Sequence, residues 1–538
     1  MESMAGDLRE MRRTPLLDPH VEALRSVGTE THFAEGEIVV QAGEPAEKFI
    51  YVLEGEIVVL HPITGERHLE ASLGPTQFAG EISLLAGTAN TMSLRACAPT
   101  RALVVPRTDL LDLMSRIPEM SDIIITVLAA RRRRQLDDYD SNLTLLGAEQ
   151  DRQIRQVEAF ATRNRLPFRR VELGTPEADE LAQVCSIESG KPAVVFGSNQ
   201  VIESPTPRRV ARVLGLDLSV DCGEVVDVLV VGGGPSGVAA GVYCGAEGLG
   251  AIVVESLAVG GQAGTSSRIE NYMGFPTGIS GADLVWRGEV QAMKFGTRFL
   301  VPCRVESLDK DGDEFVAVVD DGRKVRSKAV IIATGVQYRR LPLDRLEDFE
   351  GAGIYYAATE SEARYCRDSE AVVIGGGNSA GQAAMYLSRS AKHVHVLIRG
   401  TTLASSMSEY LSSRLFADPK ITVHFESQVT ELNGTDSLES VTWHNKGTDQ
   451  STTIDCTSLF VMVGAAPNTA WLSDLAKLDE RGFVLTGESA GAQDAYATSC
   501  PGLFAVGDVR AASVKRVASS VGEGSVVVSQ VWNYINQA

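Results

Sequence analysis

The chain has 538 residues, too many for one hydrophobic core, and a formal net charge of −20. That charge argues against a nucleic-acid partner, which needs a basic footprint, and no apolar run reaches the roughly 18–20 residues of a membrane span. Eight cysteines without a C-x-x-C pair, behind an opening Met1–Asp7 with no signal-peptide organisation, fit reduced thiols in a cytoplasmic protein.

The first third reads as β structure: short apolar runs recur roughly every 8–12 residues between Gly, Pro and acidic turns. They include Phe33–Val40, Gly43-Glu44-Pro45 and Phe49–Ile57. Further on stands Phe78-Ala79-Gly80-Glu81-Ile82-Ser83-Leu84-Leu85, followed by Ala86–Thr91. These words resemble the cyclic-nucleotide-binding domain, a β-roll flanked by helices, over about residues 16–135, which predicts a domain at 1–135. The resemblance implies that Gly80 and Glu81 open a short helix whose N–H groups face a cyclic phosphate, with Glu81 on the ribose 2′-hydroxyl. Candidate ligand contacts are Gly80, Glu81, Ile82, Ser83, Asn90 and Thr91. The family's phosphate-pairing arginine falls at Asn90, which removes a charge-assisted bond worth roughly 1.5–3 kcal/mol. Three readings stay open: a barrel without its nucleotide, one with weakened or altered nucleotide binding, and one with a different ligand. The block Arg131–Arg134 follows an apolar helical pattern and is expected as a solvated helix end favoured by the dipole.

Residues 140–220 predict an α/β module. Strands are expected at 142–146, 168–173 and 190–196 with a hairpin to 200–202, and helices at 154–164, 177–184 and 207–214. The order resembles a thioredoxin/glutaredoxin-like fold, with Pro192 where that family has its cis-proline. The 147–153 segment lacks the family's cysteine pair, and Cys185 is expected in the core. The module is expected to link, dock or dimerise.

Two glycine-rich cradles follow, each between an apolar strand and a helix opening. The first is Val228–Val231 with Gly232-Gly233-Gly234-Pro235-Ser236-Gly237, the second Ala371–Ile374 with Gly375-Gly376-Gly377-Asn378-Ser379-Ala380. The first Gly permits the tight turn and the second lets backbone approach a pyrophosphate. The third small residue lets helix pack on strand, and the helix N-terminus offers N–H groups to the anion. After the first cradle, Ala251–Val254 ends in Glu255, a carboxylate for a ribose hydroxyl. After the second, Val394–Ile398 ends in Arg399, a cation for a 2′-phosphate. Two dinucleotides are expected, FAD and then NADPH or NADH.

From about Val225 to Ala538 the words resemble the low-molecular-weight thioredoxin reductases. They are Gly260-Gly261-Gln262, Ile269–Pro276, Ala333-Thr334-Gly335, Gly464–Thr469, Leu503–Val509, Lys515-Arg516-Val517 and Gly522-Glu523-Gly524. The resemblance implies an FAD domain in two segments, 221–340 and 464–538, with an NAD(P)H domain at 341–463 inserted between them. It assigns to FAD Gly232, Gly234, Pro235, Ser236, Gly237, Glu255, Gly261, Gln262, Asn271, Thr334, Gly335, Gly507 and Asp508. Lys515, Arg516 and Val517 complete that set. To the nicotinamide nucleotide it assigns Gly375, Gly377, Asn378, Ser379, Ala380 and Arg399. It also implies a homodimer and a rotating nucleotide domain, whose orientations a sensor domain would bias.

The departure lies at the redox pair. Aligned on Gly353–Tyr356, the family's two cysteine positions hold Ala357 and Glu360. A flavin-to-disulfide relay needs an attacking thiolate and a partner to close the ring. The chain therefore reads as an FAD-dependent NAD(P)H oxidoreductase with an unnamed electron acceptor and no metal. The other readings are a non-catalytic flavin sensor, a ferredoxin–NADP reductase and a thiol enzyme using Cys366 with a distant cysteine. Trp532 and Tyr534 are expected to pack rather than cover a flavin.

Overall fold

The runs between Thr29 and Pro106 pair into two four-stranded antiparallel sheets. One orders Thr29–Phe33, Thr100–Pro106, Lys48–Glu54 and Phe78–Ala79, the other Ile38–Val40, Leu94–Ala96, Ile57–Leu60 and Arg67–Leu73. The computed structural model describes residues 15–537 except 62–64, 81, 139–142, 149–150, 189, 198–199, 217–223, 267, 270, 339, 351, 357, 359, 404–406, 436 and 473. Glu81, Ala357 and Asn142 thus lie outside the described residues. Helices Arg107–Arg116 and Pro118–Asp138 close the barrel, burying Leu110, Met114, Ile124 and Leu128.

The arginine block corrects one expectation. Its helix runs on to Asp138, and Arg131 donates to the carbonyls of Gly80 and Phe78, both at 2.7 Å, with its guanidinium over the Phe78 ring. Arg132 is 7% exposed. Carbonyls at the cassette need donors and the Arg131 fork reaches them, while Arg132 donates to the Arg165 carbonyl at 3.5 Å, so these two cations do not stand in solvent.

The module's sheet orders Arg169–Glu172, Leu143–Gly147, Ala193–Phe196 and Gln200–Glu203; the first pair is parallel and the rest antiparallel. Its helices Arg152–Arg163, Pro176–Val184 and Pro207–Val213 start at Asp151, Thr175 and Thr206, whose side chains accept from first-turn N–H groups. Elements therefore fall within a few residues of their sequence positions. Pro192 does not carry the expected cis bond: among the described residues the cis peptide is Val301–Pro302. Cys185 is half-buried beside the apolar cluster of Leu146, Val171 and Leu181.

Val225–Val231 lies between the parallel strands Ala251–Val254 and Lys324–Ile332 and is buried on both faces along its C-terminal half. Such a run needs cover on both sides, which explains why it reads as continuous Val and Leu rather than alternation. Leu503–Ala505 returns from the far end of the chain to pair with Val330–Ile332. A second parallel sheet orders Ile354–Tyr355, Ser458–Val461, Glu370–Ile374, His393–Leu397 and Ile421–His424. Between the two sheets runs an antiparallel ribbon, Val336–Tyr338 against Ala465–Pro467. Each of its strands follows a glycine at positive φ, Gly335 (59°) and Gly464 (89°), where a Cβ would meet nothing within 4 Å.

The barrel sits on the first nucleotide unit. Val290 and Met293 of helix Gly281–Lys294 share one buried cluster with Leu110, Leu113 and Met114. The module joins both neighbours: the Ala89 N–H donates to the Leu214 carbonyl at 3.0 Å, and Arg208 pairs with Asp320 at 2.7 Å.

Candidate functional site

The first cradle is shaped by backbone proximity. Gly232 stands at φ 111°, and a Cβ there would lie 2.3 Å from the Ala333 carbonyl oxygen. A Cβ on Gly237 would lie 1.8 Å from the Gly232 oxygen, whereas Gly234 has nothing within 4 Å. The tight turn and the helix contact therefore exclude side chains, and open space remains where an anion meets the N-terminus of helix Pro235–Ala246. Glu255 is held for its part: Oε2 accepts the Gly233 N–H at 2.8 Å and Oε1 the Leu257 N–H at 3.0 Å. These features fit the adenosine diphosphate half of FAD.

The return segment closes over this cradle. Gly507 packs so tightly on Ser236 that a Cβ would lie 2.2 Å from Oγ. Its N–H donates to Glu523 at 2.6 Å, and Glu523 in turn takes a two-pronged bond from Arg510 at 2.8 and 3.1 Å. Burial pushes the Asp508 carboxyl above its ordinary range, opposed by Lys515 and reinforced by Glu523. The Glu523–Arg510 pair received no role from the sequence, although Glu523 stands inside a quoted word; only the fold brings its partner near. Gln262 and Thr334 spend their side chains on backbone, donating to Val336 O at 3.0 Å and Asn468 O at 2.9 Å. They tie the cradle to the ribbon strands.

The second cradle repeats the geometry. Gly375 has φ 140°, and a Cβ there would meet the Met462 oxygen at 2.3 Å. Helix Asn378–Leu387 opens directly behind Gly377, and Ala380 is fully buried against the sheet. Arg399 is exposed at the end of its strand, with no ion pair among the described residues. Both cradles open into one cleft of about 2970 Å³. Its lining holds Gly232, Gly234, Pro235, Ser236, Glu255, Gly261, Gln262, Thr334, Gly335, Asp508, Lys515, Arg516 and Val517 from the flavin set. Gly375, Gly377, Asn378, Ser379 and Arg399 line it from the nicotinamide set. Gly237, Gly507 and Ala380 stand behind it as packing positions, and Asn271 is exposed outside it.

A family model described as pyridine nucleotide-disulphide oxidoreductase matches residues 226–524. The chain belongs to that family. A second model, the cyclic nucleotide-binding domain, matches residues 30–117. A thioredoxin reductase of Streptomyces clavuligerus is 32% identical over 313 residues, covering 58% of this chain and 94% of the relative. NADPH-dependent thioredoxin reductase 3 of Arabidopsis thaliana is 30% identical over 356 residues, 63% of this chain and 66% of the relative. Among solved structures, Lactococcus lactis thioredoxin reductase in its FR conformation has a TM-score of 0.54 at 29% identity, covering 58% of this chain and all (100%) of the other. The thioredoxin reductase of T. acidophilum has a TM-score of 0.53 at 27% identity, with 58% and 98% covered. The chain is thus a thioredoxin-reductase-like, NAD(P)H-dependent flavin oxidoreductase, of a family that uses FAD and NADPH, joined to an N-terminal cyclic-nucleotide-binding domain.

Within this oxidoreductase the redox-pair positions carry no thiol. Ala357 is outside the described residues, and Glu360 begins helix Glu360–Tyr365. Cys366 is fully buried at 0% exposure. All seven described cysteines are free, and burial holds the thiols of Cys244 and Cys456 up at about 12, far from thiolate. The cleft presents Tyr355 stacked on Tyr365, with ring centres 5.9 Å apart and planes 6° off parallel. Tyr534 packs on Phe504, as expected; Trp532 is 43% exposed and outside the cleft, because it faces outward on the terminal helix. Among the described residues, no group of three or more His, Cys, Asp or Glu is placed to hold a metal, and no helix is long and apolar enough to cross a membrane.

In the barrel, helix Ser83–Ala86 occupies the cassette. Its C-terminal carbonyls are capped by Arg107, which donates to Leu84 O at 2.8 Å and Leu85 O at 2.7 Å. Asn90 faces the Glu44–Pro45 loop.

Proposed function

We propose that this oxidoreductase takes hydride from NADPH and passes electrons to a free small acceptor, such as a quinone or oxygen, rather than through a protein disulfide. One observation carries the reading: both redox-cysteine positions lack sulfur, and the next cysteine in sequence, Cys366, is sealed in the core. FAD bound in the first cradle supplies the two-electron centre. The chain's own residues bind and orient. Gly234 and the helix behind it meet the diphosphate, Glu255 accepts from the ribose, and Lys515–Val517 border the ring. Arg399 selects the 2′-phosphate through a charge-assisted contact. Partial burial of Asp508 at the cleft wall raises its carboxyl above the ordinary range, so it keeps a proton more readily than a surface acid.

In this reading the protein is a cytoplasmic homodimer, and its N-terminal barrel is a regulatory input for a nucleotide-like effector. The 140–220 module is a thioredoxin-like unit that docks instead of exchanging electrons. The test is anaerobic: FAD-loaded protein is mixed with NADPH in stopped flow, then offered thioredoxin, an aromatic disulfide, ferricyanide and quinones. Bleaching followed by reoxidation with the free acceptors alone is expected. A flavin that NADPH never bleaches would overturn the reading.

A further inference from the structure

The cleft has a wall that belongs to neither nucleotide unit. One face of helix Arg152–Arg163 lines it, at Arg152, Arg155, Gln156, Glu158, Ala159, Thr162 and Arg163. These positions recur at helical spacing, while Ile154, Val157, Phe160 and Ala161 are buried on the opposite side. The lining face is therefore a deliberate outer surface of the module, exposed toward the cradles. Three of its seven residues are arginines in a chain of net charge −20, and its one acid, Glu158, is already paired with Arg170. Arg163 has no ion pair or hydrogen bond among the described residues. An exposed, uncompensated cation inside a cleft points to an anionic occupant.

The wall is fixed to the flavin side. Asn164 donates to the Leu257 carbonyl at 3.1 Å, and the Leu257 N–H is held by Glu255, the ribose carboxylate. Two residues on, Val259 packs with Phe160, Ala211 and Val301, and the Gly260 N–H donates to Gly233 of the cradle at 2.7 Å. Arg165 pairs with Asp283, at the start of a helix where a Cβ on Gly281 would lie 1.6 Å from the Ala263 oxygen, beside Gln262.

We propose that the end of this helix is part of the FAD site, with Arg163 as the cation facing the adenosine diphosphate and Asn164 as the residue that positions it. The module would then hold the flavin rather than relay electrons. The proposal rests on FAD occupying the first cradle, but not on NADPH reducing it.

The test measures FAD binding to apoprotein by quenching of flavin fluorescence, with no nicotinamide or acceptor present. Arg163→Ala is expected to weaken FAD about tenfold and to flatten its salt dependence, with Arg163→Lys recovering part of the loss. Asn164→Ala should speed FAD release in the same direction. NADPH affinity, read from protein fluorescence, should change less than twofold. FAD affinity within twofold of wild type in a folded Arg163→Ala protein overturns the proposal, and so does a loss that falls on NADPH instead. Tight FAD binding with no bleaching by NADPH would sink the functional reading and leave this one standing.

Discussion

Asn90 turns its side-chain amide onto the carbonyl of Glu44 at 3.0 Å, and its own N–H donates to the same oxygen at 2.8 Å. The residue at the family's phosphate-arginine position is thus spent on holding a loop. Calorimetric titration with cyclic AMP or cyclic GMP should show weak binding, and Asn90→Arg should strengthen it at least about tenfold, the size of one charge-assisted bond. Submicromolar binding by the wild-type chain would show that another group replaces the arginine.

Glu523 and Arg510 are 10% and 17% exposed, so their pair is nearly dry. Glu523→Gln leaves the guanidinium without its counter-charge and should cost about 3 kcal/mol, the lower end for a broken buried pair. Flavin should be released earlier in a thermal melt, since the same carboxylate holds the Gly507 N–H. A melt superimposable on wild type would remove the pair from the account of the closing segment.

Arg399 stands alone at its strand end. Its replacement by Ala should lower the preference for NADPH over NADH by about tenfold, chiefly through the apparent affinity. Stopped-flow bleaching with each nucleotide decides this, and an unchanged ratio assigns the 2′-phosphate to another cation.

Electron transfer should bypass thiols. Thioredoxin reduction is expected to be negligible, and Cys366→Ser should leave ferricyanide reduction within a few-fold. Robust thioredoxin reduction that disappears in Cys366→Ser would mean that a core thiol reaches the surface during turnover.

The nicotinamide unit should carry a pH dependence of its own. Burial, then the neighbouring His395 and His393, hold His424 down at about 4, against an ordinary value near 6.5. A histidine lowered in the folded state binds its proton more readily when unfolded. Its contribution to stability is therefore complete above about pH 6.5 and is lost as pH falls toward 4. Wild-type melting temperature should drop across that window more steeply than that of His424→Gln. Parallel profiles would show that the ring stays neutral in both states.

The cradles were legible because a tight turn and a close helix admit only small residues, so Gly232, Gly237 and Gly375 had to be written in the sequence. Glu255 and Arg399 were legible because a strand end fixes their distance from the turn. Asn164 and Leu257 are 93 residues apart, and no local pattern announces such a bond. Arg131 misled for a related reason. A cation after an apolar helix reads as solvated until the fold supplies carbonyls 51 and 53 residues upstream.

The ribbon between the two nucleotide sheets has a mechanical meaning. Three paired residues per strand, Val336–Tyr338 and Ala465–Pro467, make a short strap, each strand leaving a glycine at positive φ whose missing Cβ would meet nothing within 4 Å. Because the strands are bonded to each other, the two crossings between the nucleotide sheets are coupled: a change at one strand is passed to the other. In the proposed reading, a rotation that carried nicotinamide toward flavin would twist this strap. Its flavin-side anchorage includes Gln262, whose amide grips the strap at Val336.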